Sequence, residues 1–303
     1  MSFTKRFLNK WLRAVEKPRM RRSSPAALRR ALELQSRVLF FAPRGTVKTW
    51  GSFGAVPCLE IQAPSSKADR VLLYIHGGAF VFGSPNTHAA MAATLAQKIG
   101  ARAVLPQYSL APEAAFPASP DDVRSVWDAL CRGCISAQNI VVGGDSAGGA
   151  LALGLVASLL SEGAPTPGAV FGLSPLTDLT FSGESLQTNA EADVVLPAER
   201  AAELGNLFLQ GNDSKSPVVS PLHGAFQGAP PAWITVGDTE ILLDDGREMA
   251  ARLRAQNVDT TLVVAHDLPH VWPIFHNILP EGRQTLSALA AWIRQQQNWE
   301  AES

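Results

Sequence analysis

The segment with the clearest chemical potential is Gly-Asp-Ser-Ala-Gly at 144–148, which has the pattern GxSxG. It follows the apolar run Ile140–Val142, and the Ala- and Leu-rich sequence after it predicts a helix from Ala147. A sharp strand-to-helix turn strains the residue at its apex and requires small neighbours. The pattern therefore predicts that Ser146 is an exposed nucleophile and that the Ala147 amide faces a developing oxyanion. Glycine-rich turns also bind phosphate, but neither GxGxxG nor GxxxxGK[ST] occurs here.

A second glycine motif, His76-Gly77-Gly78, follows the apolar run Val71–Ile75. Acyl transfer creates a negatively charged oxygen that needs N–H donors already directed at it. Glycine lets the main chain approach a substrate closely, so the amides of Gly77 and Gly78 are the predicted donors. His76 precedes these donors, and we interpret it as a residue that orders the loop.

The two motifs together resemble those of the hormone-sensitive-lipase-like esterases of the α/β-hydrolase fold. Tyr108–Glu113 and Phe116–Ala118, between the motifs, resemble the same family. Leu173–Thr180 resembles a bacterial branch that includes monoterpene ε-lactone hydrolases. The resemblance extends over residues 45–297. It implies a serine carboxylesterase for short acyl chains, without a metal or other cofactor, with a helical cap over its site.

The general base must follow the nucleophile and the acid, because α/β-hydrolases have the order Ser, acid, His. Three histidines follow the last predicted strand, Thr261–Val264: His266, His270 and His276. The resemblance matches His270 to the family's base. On the same alignment His266 lies too close to the strand, and His276 falls on a following helix.

The acid is expected after the predicted strand Trp233–Val236. The carboxylates available there are Asp238, Glu240, Asp244 and Asp245. Alignment with the family's Asp-Pro-Leu-x-Asp segment implies Glu240, where most relatives have Asp. Asp238 is the alternative, and Asp244 and Asp245 are interpreted as residues of the next helix's N-terminal turn. The resulting prediction is a Ser146–His270–Glu240 triad that forms an acyl-enzyme.

Apolar runs alternate with helical segments from residue 70 onward, which predicts an α/β fold with a mostly parallel sheet covered by helices. The predicted strands are Val71–Ile75, Ala101–Leu105, Asn139–Val142, Ala169–Leu173, Trp233–Val236 and Thr261–Val264. The predicted helices are Thr87–Ile99, Pro120–Leu130, Ala147–Leu160, Asp244–Gln256 and Pro280–Gln297. Val47–Ile61 alternates and predicts an antiparallel pair. Residues 46–177 and 218–303 are assigned to the catalytic domain, and 1–45 and 178–217 to cap segments.

The N-terminal segment predicts a basic amphipathic helix, because Phe3, Phe7, Trp11 and Val15 recur there at a spacing of four, with Leu8 and Leu12 alongside. Such a helix can cover the pocket or lie on anionic lipid, and the family resemblance favours the cap. Four aromatic residues are candidate pocket walls, although core packing is the favoured explanation for any single one: Trp50, Phe53, Phe80 and Phe82. Other substrate-binding residues stay unknown.

The composition of the 303-residue chain, with a net charge of −1, argues for one large domain and against a general nucleic-acid binder. Cys58 and a lone CxxC pair, Cys131 and Cys134, predict no disulfide framework or metal site. No segment has the pattern of a signal peptide or a bilayer-spanning helix. We therefore expect a cytoplasmic protein with a small-molecule ester substrate and no stable membrane insertion, and the resemblance allows a homodimer.

Two other function classes stay open. An amidase or deacylase uses the same triad, and a non-catalytic homologue can bind a small ligand in the same pocket. All three triad positions are filled, which favours an enzyme. The sequence does not distinguish a linear ester from a lactone or define the acyl-chain length.

Overall fold

The predicted mostly parallel sheet is confirmed. In the computed structural model, which describes residues 3–133 and 135–299, eight strands form one sheet in the order β1-β2-β4-β3-β5-β6-β7-β8. The strands are β1 Val47–Phe53, β2 Val56–Gln62, β3 Lys67–Ile75, β4 Ala101–Pro106, β5 Ile140–Asp145, β6 Ala169–Leu173, β7 Ala232–Gly237 and β8 Thr260–Ala265. β2 is antiparallel to both β1 and β4, and the other pairs are parallel. The predicted antiparallel entry pair is therefore also confirmed.

Helices cover both faces of the sheet, as its apolar strands require. They are α1 Phe3–Trp11, α2 Lys17–Arg22, α3 Pro25–Leu39, α4 Pro85–Ile99, α5 Ala118–Arg132, α6 Ala147–Ser161, α7 Ser185–Thr188, α8 Ala201–Leu209, α9 Leu243–Ala255 and α10 Pro280–Gln297. Buried side chains of α5, α6 and α9 belong to one core. Those of α4 and α10 form a second core on the other face. Within the described residues, no helix combines the length and hydropathy needed to cross a bilayer.

The N-terminal helix is confirmed, but its predicted apolar stripe is only partly correct. Phe7 and Val15 are 67% and 37% exposed, whereas Leu8 and Leu12 are buried. A spacing of four residues drifts around a helix of 3.6 residues per turn. The buried face instead begins at Lys5, whose ammonium reaches the carbonyl of His266 at 3.3 Å. The Phe3 side chain lies outside the described part of the chain.

Residues 178–217 carry the short helices α7 and α8 and pack against the N-terminal helices. Arg200 Nη1 donates to Met20 O at 2.5 Å. The π-helical turn Leu12–Glu16 joins α1 to α2, and Leu12 contributes to the same cavity as Leu204 of α8. The two segments assigned from sequence to a cap are therefore in contact. Of the CxxC pair, Cys131 is half-buried, and Cys134 lies outside the described residues.

Candidate active site

The turn between β5 and α6 holds Ser146 in a strained conformation. Its φ and ψ are 52° and −123°, a region that residues other than glycine rarely adopt. The Ser146 amide donates to Leu173 O at 2.9 Å, and the Ser146 carbonyl accepts from Leu176 N at 3.1 Å. These bonds anchor the strained residue to the end of β6, so that its side chain faces the cavity described below.

Close packing explains the glycines on either side of this turn. A Cβ at Gly144 would lie 2.3 Å from Ile75 O, and one at Gly148 would lie 2.1 Å from the same oxygen. β3 ends at Ile75, and its pairing with β5 puts Ile75 opposite Gly144. The GxSxG spacing therefore lets the nucleophile turn lie directly beside the loop that contains the second glycine motif.

His270 and Glu240 form a buried pair beside the turn. His270 Nδ1 lies 2.6 Å from Glu240 Oε2. Glu240 is 1% exposed, and its Oε1 accepts hydrogen bonds from Gly237 N at 2.5 Å and Ser174 Oγ at 2.8 Å. Because Nδ1 is committed to the carboxylate, Nε2 is the ring atom left to exchange a proton with a nucleophile.

Two effects of opposite sign act on the pKa of His270. Burial, the largest single effect, lowers it, whereas the hydrogen bond to Glu240 and the charge of that carboxylate raise it. Asp193 and Asp145 add negative charge nearby. The net result is a pKa raised above the ordinary value of 6.5, so the imidazolium that forms when His270 accepts a proton is stabilised.

The other candidate bases and acids have different partners. His266 is largely exposed and pairs with Asp238 at 2.7 Å. Asp238 also accepts from Asp267 N at 2.7 Å, so it joins the loops after β7 and β8 to each other. His276 Nε2 lies 3.1 Å from Thr94 Oγ1, away from the nucleophile turn.

Asp244 and Asp245 do lie at the start of α9, as interpreted from the sequence. Asp244 Oδ2 accepts from Ser185 N at 2.7 Å, and Asp245 Oδ1 accepts from Thr177 N at 2.6 Å. These carboxylates bind the segment after β6 and do not reach His270. Burial raises the pKa of Asp245 to about 7, although the hydrogen bonds from the main chain oppose this shift.

The expectation for the Gly77 amide is wrong. Gly77 N donates to Asp145 Oδ1 at 3.1 Å, so this group is already used inside the protein. The amides of Gly78 and Ala79 have no acceptor within the described chain, and both residues line the cavity with positive φ values of 122° and 51°. The turn is held by Val81 N and Phe82 N, which each donate to Gly78 O at 2.9 Å.

Asp145 connects the nucleophile turn to the glycine loop. Besides Gly77, its Oδ1 accepts from Tyr74 Oη at 2.7 Å, and its Oδ2 lies 3.3 Å from His88 Nε2. Burial raises the pKa of Asp145, but His88, Tyr74 and His76 together more than offset this and the net pKa is lowered. His76 stacks on Tyr108 with ring centroids 4.2 Å apart, and burial lowers the pKa of His76 to about 3, consistent with an ordering role.

A mostly apolar cavity of about 170 Å³ opens at Ser146 and His270. The N-terminal helices contribute Leu12, Met20, Leu32 and Phe40 to its wall, and the 178–217 segment contributes Leu179, Phe181, Val195, Leu196 and Leu204. Of the candidate aromatic residues, Phe80 and Phe82 line it, whereas Trp50 lies half-exposed on β1 and Phe53 packs against the core. Glu16 and Gln35 are polar residues that the N-terminal helices also contribute to this wall.

The sequence reasoning missed Ser174 as part of the site. Ser174 Oγ donates to Glu240 and accepts from Val271 N at 3.2 Å, so one hydroxyl connects the loops that carry Glu240 and His270. The available signal was its position directly after β6, because side chains at the carboxyl ends of neighbouring parallel strands converge. Ala79 was missed because only the glycines of this loop were considered as donors.

The fold and this site define an α/β-hydrolase, and comparison agrees. A family model described as alpha/beta hydrolase fold matches residues 72–274, so the chain belongs to that family. An acetyl-hydrolase of Streptomyces hygroscopicus is 32% identical over 252 residues, covering 83% of each chain. An esterase of Acinetobacter venetianus is 34% identical over 233 residues, covering 76% of each.

Comparison with solved structures defines the class of hydrolase more narrowly. An esterase from the bacterial hormone-sensitive lipase family superposes with a TM-score of 0.92 at 35% identity, covering 98% of this chain and 99% of that one. EstE5, in a crystal soaked with p-nitrophenyl butyrate, superposes with a TM-score of 0.93 at 32% identity, covering 98% of this chain and 100% of that one. The chain is a carboxylic ester hydrolase of this type. The finer resemblance to monoterpene ε-lactone hydrolases stays a prediction.

Proposed function

We propose that this protein hydrolyses short-chain acyl esters through a Ser146–His270–Glu240 triad and an acyl-enzyme intermediate. The observation that carries the proposal is the buried His270–Glu240 pair, 2.6 Å apart, at the cavity that Ser146 also lines. A base oriented by a carboxylate, in the same cavity as a serine on a strained turn, is an arrangement suited to acyl transfer. A lactone is a cyclic ester and would react in the same way.

The reaction follows from these roles. Ser146 Oγ forms a bond to the ester carbonyl carbon while its proton passes to His270 Nε2. The C–O bond to the alcohol then breaks, and the alcohol leaves with that proton. His270 next takes a proton from water, whose oxygen attacks the acyl carbon. The bond from that carbon to Ser146 Oγ then breaks, Ser146 regains its proton from His270, and the carboxylic acid leaves. Glu240 keeps His270 in the tautomer with hydrogen on Nδ1.

The donors to the oxyanion are Gly78, Ala79 and Ala147. The amides of Gly78 and Ala79 have no acceptor within the described chain, and Ala147 N begins α6, where the helix dipole favours negative charge. Gly77 is left out because its amide is bonded to Asp145. Losing one such donor typically costs about 3 to 4 kcal/mol of transition-state stabilisation.

Residues 1–45 and 178–217 act as a cap, over a catalytic domain of residues 46–177 and 218–303. Their apolar side chains form much of the cavity wall, which supports an apolar acyl group as the part of the substrate held there. Cytoplasmic location, a homodimer and the absence of nucleic-acid partners stay predictions from the sequence.

A panel of p-nitrophenyl esters of increasing acyl length, together with one lactone and one anilide, tests the proposal. Ser146→Ala and His270→Ala should each lower kcat on the order of a millionfold. His266→Ala is the matched control, since it removes a histidine four residues from His270 that pairs with Asp238, and it should retain activity. Equal rates for wild type and Ser146→Ala would overturn the proposal, and faster anilide than ester cleavage would indicate an amidase.

A further inference from the structure

Four consecutive main-chain carbonyls, at residues 190–193, each accept a hydrogen bond from the N-terminal helices. Nη1 and Nη2 of Arg13 donate to the middle two at 2.7 and 3.0 Å. Nζ of Lys17 donates to the first and the last at 2.6 and 2.7 Å. Lys17 is buried, so its ammonium depends on these carbonyls for solvation. The N-terminal helices therefore fix this short loop along its whole length.

The side chains at the two ends of the same loop bind the segment that carries Glu240. Asn189 Nδ2 donates to Glu240 O at 2.8 Å and to Asp238 O at 3.1 Å. Asp193 Oδ2 accepts from Ile241 N at 3.0 Å. Both polar groups of the peptide that follows the Glu240 Cα, Glu240 O and Ile241 N, are thus held by Asn189 and Asp193, while the Glu240 side chain binds His270.

The contacts of Asp193 hold its carboxylate in one orientation. It is 1% exposed, and its second oxygen, Oδ1, accepts from Val195 N and Leu196 N, each at 2.8 Å. Both carboxylate oxygens therefore face N–H donors. An asparagine at this position would have to turn its NH₂ group toward one of them, which breaks that contact without changing the side chain's volume.

We propose that Asn189 and Asp193 are positioning residues for the triad carboxylate Glu240, and that Lys17 holds them in place from the N-terminal helices. This inference rests on the proposed function, because it concerns the acid of that triad. Glu240 lies on a loop, and its carboxylate fixes the ring of His270. A displacement of about 1 Å at such a group can lower the rate about a hundredfold. The cap would then control catalysis as well as access.

The first test compares kcat and KM for p-nitrophenyl butyrate in wild type, Asp193→Asn and Asn189→Leu. We expect kcat to fall about 10- to 100-fold in both variants, with KM changed by less than about twofold. Asn212→Leu is the matched control. Asn212 Nδ2 also donates to two main-chain carbonyls, at 2.7 and 3.4 Å, but these lie at Leu209 and Phe116. Its kcat should equal that of wild type.

The second test repeats both substitutions in a Glu240→Ala background. If the positioning residues act through Glu240, they lower kcat no further there, whereas a general structural defect lowers it by the same factor in both backgrounds. Lys17→Met should also lower kcat, by a smaller factor than Asp193→Asn. In the double variant, kcat should fall by less than the product of the two single-variant factors. Thermal melts identify the folded variants. If Asp193→Asn does not fold, Asn189→Leu alone tests the inference.

Unchanged kcat in the folded variants, or an undiminished effect in the Glu240→Ala background, would overturn the inference. Failure of the proposed function has a different signature. In that case Glu240→Ala itself would have the activity of wild type, whatever the behaviour of Asn189 and Asp193.

Discussion

His270 Nδ1 lies 2.6 Å from Glu240 Oε2, and neither side chain has more than slight contact with solvent. The contact decides both the tautomer of the imidazole and the pH range in which it is neutral. Two of the following predictions depend on it directly.

The first prediction concerns pH. The general base must be neutral, and the net effect of its surroundings raises the pKa of His270 above 6.5. A raised pKa keeps the inactive imidazolium form populated to higher pH, so kcat/KM should rise with pH through a midpoint above 6.5. Initial rates between about pH 5 and 9 give this midpoint. A profile that is flat across the range would contradict the assignment of His270.

The second prediction separates the two candidate acids. Glu240→Gln should lower kcat on the order of 10⁴-fold, because the amide cannot stabilise the imidazolium. It should also move the pH midpoint down, since the group that raises the His270 pKa is gone. Asp238→Asn should lower kcat less than about tenfold, because Asp238 binds His266 and Asp267 and not His270. The reverse order of the two effects would make Asp238 the acid.

The third prediction concerns the cavity wall formed by α3. Leu32 lines the cavity, whereas Leu34, two residues along the same helix, is 66% exposed. Leu32→Trp should fill the space for the acyl group and lower kcat/KM for octanoyl esters about tenfold relative to acetyl esters. Leu34→Trp should leave the acyl-length profile unchanged. Identical profiles for both variants would mean that α3 does not border the acyl site.

The fourth prediction concerns the stability of the buried pair formed by His88 and Asp145. Burial lowers the pKa of His88, but the charge of Asp145 and the hydrogen bond to it, with smaller effects of Ser84 and Glu33, together raise the net pKa above 6.5. The stabilisation is therefore fully present below 6.5 and is lost as pH rises through the folded-state pKa. For Asp145, whose pKa is lowered, stabilisation is present above 3.8 and is lost as pH falls below it.

His88→Gln should accordingly lower Tm most between pH values of about 4 and 6.5, with a smaller difference at alkaline pH. Thermal melts of both proteins across this range measure the effect. A Tm difference that is constant with pH would mean that His88 is neutral in the folded protein. Activity is a separate readout, because Asp145 also holds the Gly77 amide.

Much of the site could be predicted because its chemistry is encoded locally. Gly144 and Gly148 flank Ser146 at a spacing that a strand-to-helix turn requires, and His76-Gly77-Gly78 follows an apolar strand. Chain order and alignment then led to His270 and Glu240. The error at Gly77 has a specific cause: a motif identifies a flexible loop, but not which of its amides is occupied by a buried carboxylate such as Asp145.

The sequence by itself determined the α/β alternation, the nucleophile turn and the residue types available as base and acid. These depend on periodicity and on spacings of a few residues, which local sterics impose. Only the tertiary structure decided which carboxylate meets His270, which face of the N-terminal helix is buried, and that Asn189 and Asp193 contact the Glu240 segment. Those contacts join residues about 50 positions apart, and no local pattern encodes them, because they form only when separate loops converge at one end of the sheet.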